Sequence, residues 1–148
     1  MVDEDRVLRL LDRIRGDVER LARYAHEPPA LDDEITVAGI KYLFVTAIEG
    51  CAKVAHHIGS AQGWAAAETN GDAVRELGRR DVLTPDLASA VADAVGFRNL
   101  LVHQYADVDD ERVLGHLAHL DDLRSFVVAV TRWLLRASAE ESYIPTER

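Results

Sequence analysis

The sequence predicts an all-α fold, a bundle of four to five helices. Three observations carry this expectation. Apolar residues recur in steps of three and four along every long segment, while no stretch alternates with period two over a useful length. Ala, Leu, Val, Arg, Asp and Glu dominate the composition, and Gly and Pro are sparse; such a mixture favours helix over sheet. Three of the four prolines, Pro28, Pro29 and Pro85, fall between or at the start of the periodic segments, where helices end and begin.

The first segment, Asp3 to about Ala25, places Val7, Leu10, Leu11, Ile14, Val18 and Leu21 on one face, with Asp3, Glu4 and Asp5 at the positive end of the helix dipole. A second runs from about Thr36 to Ser60 along Val37, Ile40, Phe44, Ile48, Cys51, Ala55 and Ile58. It is apolar on most sides, which places it at the centre of the bundle, and Gly59 marks its end. A short helix follows near Asp72 to Gly78. Thr84-Pro85-Asp86 then opens a fourth: Thr caps, Pro fills the first turn and Asp favours the dipole. Asp109 or Asp110 caps a last long helix to about Ala139, with Val113, Leu114, Leu117, Leu120, Leu123, Phe126, Val127, Val130 and Leu134 inward. Residues 140–148 read as a frayed tail. Without a repeat, a low-complexity block or a dividing linker, residues 1–148 are expected to form one domain.

The 148 residues are 48% hydrophobic, enough for a real core. The net charge of −9 argues against broad binding to a nucleic-acid backbone, yet leaves room for a local basic cleft or a basic partner. The single cysteine, Cys51, cannot form an internal disulfide, and it reads as a small buried hydrophobe. The acidic, amphipathic start is unlike a signal peptide, and no stretch approaches about 18 uninterrupted apolar residues. The expectation is a soluble cytoplasmic chain with no membrane partner.

The stretch GFRNLLVHQYAD, Gly96 to Asp107, places an Arg, an Asn, a His and a Tyr among aliphatic residues. On one helix from Pro85 to Tyr105, at about 100° per residue, Leu87, Val91, Ala94, Arg98, Leu101 and Tyr105 share a face. Arg98 is then aimed at a core-like environment, where a guanidinium requires an anion or several acceptors. A second line, Ala88, Ala92, Gly96, Asn99 and His103, pairs small residues with two polar ones, so a neighbouring helix can approach closely there. Arg98 and His103 point about 140° apart. They can share a site if the helix distorts near its end, or if two copies pack across a two-fold axis into a composite groove. On periodicity alone, an Arg or His in a helix is more often a surface group or a partnered core group than a catalytic one, and Tyr105 reads as a core aromatic with its hydroxyl at the rim.

The spacing Arg98-Asn99, then His103-Gln104-Tyr105, resembles the R-x4-H-x-Y motif of the HEPN superfamily, in particular its HepT-like branch. The segments YLFVTAIEGCAKVAHHIGSA and LGRRDVLTPDLASAVADAVGFRNLLVHQYADVDDERV resemble that branch in the same order, so the likeness covers nearly the whole chain. It implies an all-α homodimer with the motif helices at its interface. It implies a toxin that is a metal-independent endoribonuclease acting on RNA, tRNA or mRNA, with no cofactor of its own. It further implies a minimal nucleotidyltransferase antitoxin that takes AMP from ATP and transfers it to the motif tyrosine, by position Tyr105. In that scheme His103 moves the proton, Arg98 holds the phosphate and Asn99 orients a neighbour or the substrate. AMP on Tyr105 adds bulk and negative charge, which blocks RNA.

Other signals are blander. Glu49 and Lys53 form an i,i+4 pair, although Glu49 could also face the groove. His116 and His119, three apart, lack a third ligand and read as surface histidines; adjacent His56 and His57 diverge by about 100° and suit no joint ligation. Arg75, Arg79 and Arg80 could join Arg98 in a basic groove or form a solvated turn. Two further readings remain open: a non-catalytic adaptor bundle that docks a nucleotidyltransferase, and a plain nucleotide-binding bundle.

Overall fold

The computed structural model describes residues 1–143 and 145, and its elements are all helical. In chain order they are α1 (Glu4–His26), α2 (Glu34–Ala61), α3 (Asn70–Arg79), α4 (Pro85–His103), α5 (Asp110–Gly115), a 3₁₀ turn (His116–His119) and α6 (Asp121–Ser142). No strand is present among the described residues.

Five of the six helices begin on a side-chain cap. Asp3, Asp33, Thr69, Thr84 and Asp109 accept from the backbone N–H groups of Arg6, Thr36, Asp72, Leu87 and Glu111, relieving donors that the helix itself cannot satisfy. The predicted stripe of α1 is buried at Val7, Leu11, Ile14, Val18 and Leu21. α2 is the central helix, and every residue of its predicted apolar line is buried. By length and composition it could cross a membrane; here its apolar surface packs mainly against α1, α3 and α4. Two glycines permit close approaches. A Cβ at Gly50 would stand 2.7 Å from Ile14 Cγ1 of α1, and one at Gly78 would stand 2.6 Å from the Cβ of Ala88 on α4.

Three boundaries differ from expectation. The last predicted helix is divided: after Gly115, a poor helix former, the backbone tightens into the 3₁₀ turn, which buries Leu117 and stacks His116 on Phe97. α6 then continues through Glu140, Glu141 and Ser142, so the first part of the expected tail is helical. Its end is tied back by the Ser138 hydroxyl, which donates to Glu4. The remainder of that tail, Ile144 and residues 146–148, lies outside the described residues. Lastly, α4 stops at His103 rather than Tyr105: the Gln104 N–H closes on the Leu100 carbonyl and the Asp107 N–H turns back to the Gln104 carbonyl.

Candidate active site

The early stop of α4 separates the motif residues. Arg98 lies on α4 as expected, but Tyr105 lies in the turn between α4 and α5, so the two do not share a helical face. Ala88 and Ala92, the first half of the small-residue line, are buried in the chain's own fold, Ala88 against Gly78 of α3. The second half, Gly96, Asn99 and His103, is exposed. Any close approach of a neighbour to this line is thus confined to the last turns of α4. The His103 side chain forms no hydrogen bond among the described residues.

Arg98 is enclosed, its side chain only 18% exposed, and it meets the anion that its burial requires. That anion is Glu49 of α2, which accepts from Arg98 Nη2. Nη1 donates to Asn99 Oδ1 at 3.0 Å, while Nε is buried without a partner. Glu49 does not pair with Lys53, contrary to expectation. The i,i+4 contact is weak and solvent-screened, whereas the enclosed guanidinium offers a stronger partner.

A second charged contact was not anticipated. Lys41 of α2 is the one buried charged residue among those described, its side chain 8% exposed. Its Nζ lies 2.6 Å from Asp110 Oδ1, an ion contact outside hydrogen-bonding angles. The same nitrogen donates to the Tyr105 carbonyl at 3.5 Å and sits 4.6 Å from the Tyr105 ring centroid. The sequence signal was available: Val37, Lys41, Phe44 and Ile48 follow steps of four, three and four, which places a lysine on an apolar line. Asp109 caps α5 as predicted, and Asp110 serves Lys41.

The remaining titratable groups settle into structural places. Arg75 pairs with Asp72, and Arg79 and Arg80 both pair with Glu76, whose carboxyl they hold below its ordinary range. Each of the three is therefore held by a nearby carboxylate, Glu76 being shared between two of them. His116 is not a simple surface group: it stacks on Phe97 with centroids 3.9 Å apart. Desolvation first, then Arg112 and His119, lowers its pKa. His56 bonds Asn70, and His57 accepts from the Asp3 backbone N–H, so the adjacent pair serves two different helix starts. Burial pushes the Cys51 thiol well above its usual range, as befits an inert core residue. A groove of about 550 Å³, lined in part by Arg15, Val18, Arg124, Val127 and Arg132, contains no motif residue.

The family model described as Ribonuclease HepT-like matches residues 10–130, a span that includes Lys41, Glu49, Arg98, Asn99, His103 and Tyr105. The chain belongs to the HepT-like family. Three curated relatives bear on this HepT-like chain. A tRNA nuclease HepT of Aphanizomenon flos-aquae is 49% identical over 45 residues, 30% of this chain and 31% of that protein. A putative RNase of Archaeoglobus fulgidus is 29% identical over 78% of this chain and 84% of its own length. An mRNA nuclease HepT of Shewanella oneidensis is 28% identical over 53% of this chain and 60% of its own. The chain thus spans about a third of the first of these and three fifths of the last.

Solved structures agree on the fold. The tri-AMPylated Shewanella oneidensis HEPN toxin in complex with MNT antitoxin superposes with a TM-score of 0.78 at 20% identity, covering 89% of this chain and 99% of that one. YutE of Bacillus subtilis, a cytosolic protein of unknown function, superposes with a TM-score of 0.75 at 18% identity, covering 90% and 91%.

Proposed function

We propose that this chain is the ribonuclease toxin of a toxin–antitoxin pair, a cytoplasmic homodimer that cleaves RNA without a metal ion or cofactor. The observation that carries the reading is the composition of the α4 end. An enclosed arginine is held by Glu49, a histidine without a hydrogen-bond partner among the described residues is exposed one and a half turns later, and a half-exposed tyrosine follows, all inside the family match. RNA brings its own nucleophile. His103 takes the proton from a 2′-OH as that oxygen attacks the adjacent phosphorus; the P–O5′ bond breaks, and the 5′ oxygen leaves with its electron pair and takes a proton from solvent or from the second copy's protonated histidine. Arg98 holds the phosphate with the Nη1 and Nη2 hydrogens that Asn99 and Glu49 leave free, and stabilises the charge building on its oxygens. Two copies meeting at the exposed end of α4 would supply both residues twice, which answers their divergence along one helix.

Control by a nucleotidyltransferase completes the proposal. The named states of the Shewanella structure, an AMPylated toxin with its antitoxin, support it. The antitoxin would transfer AMP from ATP to Tyr105, placing a phosphodiester and a nucleoside beside His103.

The test is cleavage of total tRNA and an mRNA by purified protein in excess chelator. Cleavage is expected with wild type, and His103→Ala is expected to lose on the order of 10²- to 10⁴-fold. Intact RNA with wild type, together with undiminished toxicity of His103→Ala in cells, would reject the nuclease reading. The local pairing of Arg75, Arg79 and Arg80 with Asp72 and Glu76 favours the alternative, a non-catalytic adaptor docked to a nucleotidyltransferase, because it reduces the positive charge that these three offer to RNA.

A further inference from the structure

We propose that Lys41 is a positioning residue for Tyr105, holding the turn after α4 so that the tyrosine can act as an AMP acceptor. The inference rests on the reading of Tyr105 as the modified residue and adds a residue that the motif does not contain.

Lys41 and Lys53 are the only lysines of the chain, which otherwise uses arginine for its positive charge. Lys53 is exposed and Lys41 is buried. A buried ammonium must be compensated from several directions. Here the compensation comes from the Asp110 carboxylate, the Tyr105 carbonyl and the Tyr105 ring face. A compact ammonium with three donors can serve acceptors spread in this way, whereas a planar guanidinium directs its donors within one plane. Two of the three contacts are to Tyr105 itself, one to its main chain and one to its side chain. The third ties the grip to the first turn of α5. The turn containing Tyr105 has few other restraints, chiefly the Gln104–Leu100 and Asp107–Gln104 backbone bonds and the Asp109 cap. Lys41 therefore selects where the phenol stands, while the phenol hydroxyl has no hydrogen-bond partner among the described residues.

In the transfer, Tyr105 Oη forms a bond to the α-phosphorus of ATP. The α–β phosphoanhydride bond breaks, pyrophosphate leaves with the electron pair, and the phenol proton passes to solvent or to a base of the transferase. A wandering acceptor lowers the rate of that step more than it lowers binding of the protein substrate, because misplacement by about 1 Å costs on the order of 100-fold.

The experiment compares wild type, Lys41→Met and Lys41→Arg as substrates of the cognate nucleotidyltransferase with ATP, following the mass of the Tyr105 peptide. Lys41→Met keeps the stem and removes the charge. It is expected to lower kcat on the order of 10- to 100-fold with little change in KM, and Lys41→Arg is expected to recover part of the loss. Circular dichroism establishes that each variant is folded. Independently, NMR of the unmodified wild type should show the Lys41 ε-methylene protons upfield of those of Lys53, shifted by the ring current, and this difference should vanish in Tyr105→Leu but persist in Tyr105→Phe. Wild-type kinetics in Lys41→Met, or coincident lysine signals in wild type, would overturn the role of Lys41 alone. No AMP on wild-type Tyr105 would overturn the reading of Tyr105 as acceptor, and the positioning role with it. Should Lys41→Met not fold, the NMR comparison decides.

Discussion

The ion pair between Arg98 and Glu49 predicts an unequal outcome when either partner is removed. Arg98 is the more enclosed, its side chain 18% exposed against 34% for Glu49. Glu49→Ala leaves a covered cation with only Asn99 for a partner, whereas Arg98→Met leaves a carboxylate that water can reach. Breaking a fully buried pair costs about 3–5 kcal/mol, and a charged hydrogen bond contributes about 1.5–3 kcal/mol net. This pair is partly hydrated, so Glu49→Ala should cost about 2 kcal/mol, and Arg98→Met about half of that. For a chain of this length 2 kcal/mol corresponds to a fall in Tm of roughly 4–8 °C. The double variant should be less destabilised than the sum, with a coupling energy of about 1–2 kcal/mol. Urea denaturation of the four proteins measures the cycle. A coupling below about 0.5 kcal/mol, or a larger loss in Arg98→Met than in Glu49→Ala, would refute the argument that Glu49 compensates an enclosed guanidinium. In the nuclease assay Glu49→Ala should lose activity only where Arg98 is present, because Glu49 acts by holding it.

The same substitution at two glycines should have opposite signs. Gly78→Ala drives a methyl against Ala88, and its gain in helix propensity does not offset the overpacking: destabilisation of about 1 kcal/mol is expected, relieved by adding Ala88→Gly. Gly96 has nothing near its missing Cβ, so Gly96→Ala should stabilise the chain by about 0.5–1 kcal/mol at low concentration; if this face meets a second copy, the variant should also raise the dimer dissociation constant in analytical ultracentrifugation. His116 gives a pH dependence. Its pKa is lower in the fold than in the unfolded chain, so the unfolded state takes up a proton first as pH falls. Its contribution is fully present above about pH 6.5 and is lost as pH falls from there through the folded pKa, and His116→Phe should flatten that part of a stability–pH curve.

The parts of the fold that local rules govern were legible. The stripes of α1 and α2 and the Thr84 cap follow from residues within a few positions of one another, and all are as expected save Leu10, which is only partly buried. What could not be read is where tertiary contacts override local ones. Gln104-Tyr105-Ala106 contains neither Gly nor Pro, so nothing nearby signals that α4 stops at His103; the stop coincides with the grip of Lys41, sixty-four residues away in sequence. Glu49 offered a local partner in Lys53, and only the packing of α2 on α4 reveals the competing Arg98. The enclosure of Arg98 and its need for an anion, by contrast, followed from helix phase alone.

Two charges of α2, Lys41 and Glu49, also constrain the chain in a way that neither does singly. Glu49 takes hold of Arg98 and Lys41 takes hold of Tyr105, and the order is reversed between the two segments, as antiparallel neighbours require. Lys41 and Glu49 are eight residues apart, about 12 Å along a helix. α2 thus acts as a gauge: a cation and an anion at a set separation accept only complementary groups spaced to match. Sliding α4 by one turn, about 5.4 Å, would release both ends together. Deleting or inserting one residue between Lys41 and Glu49 would rotate one of them away by about 100° and leave the other in place. The span between these two residues is therefore as much a part of the site as the motif that faces it.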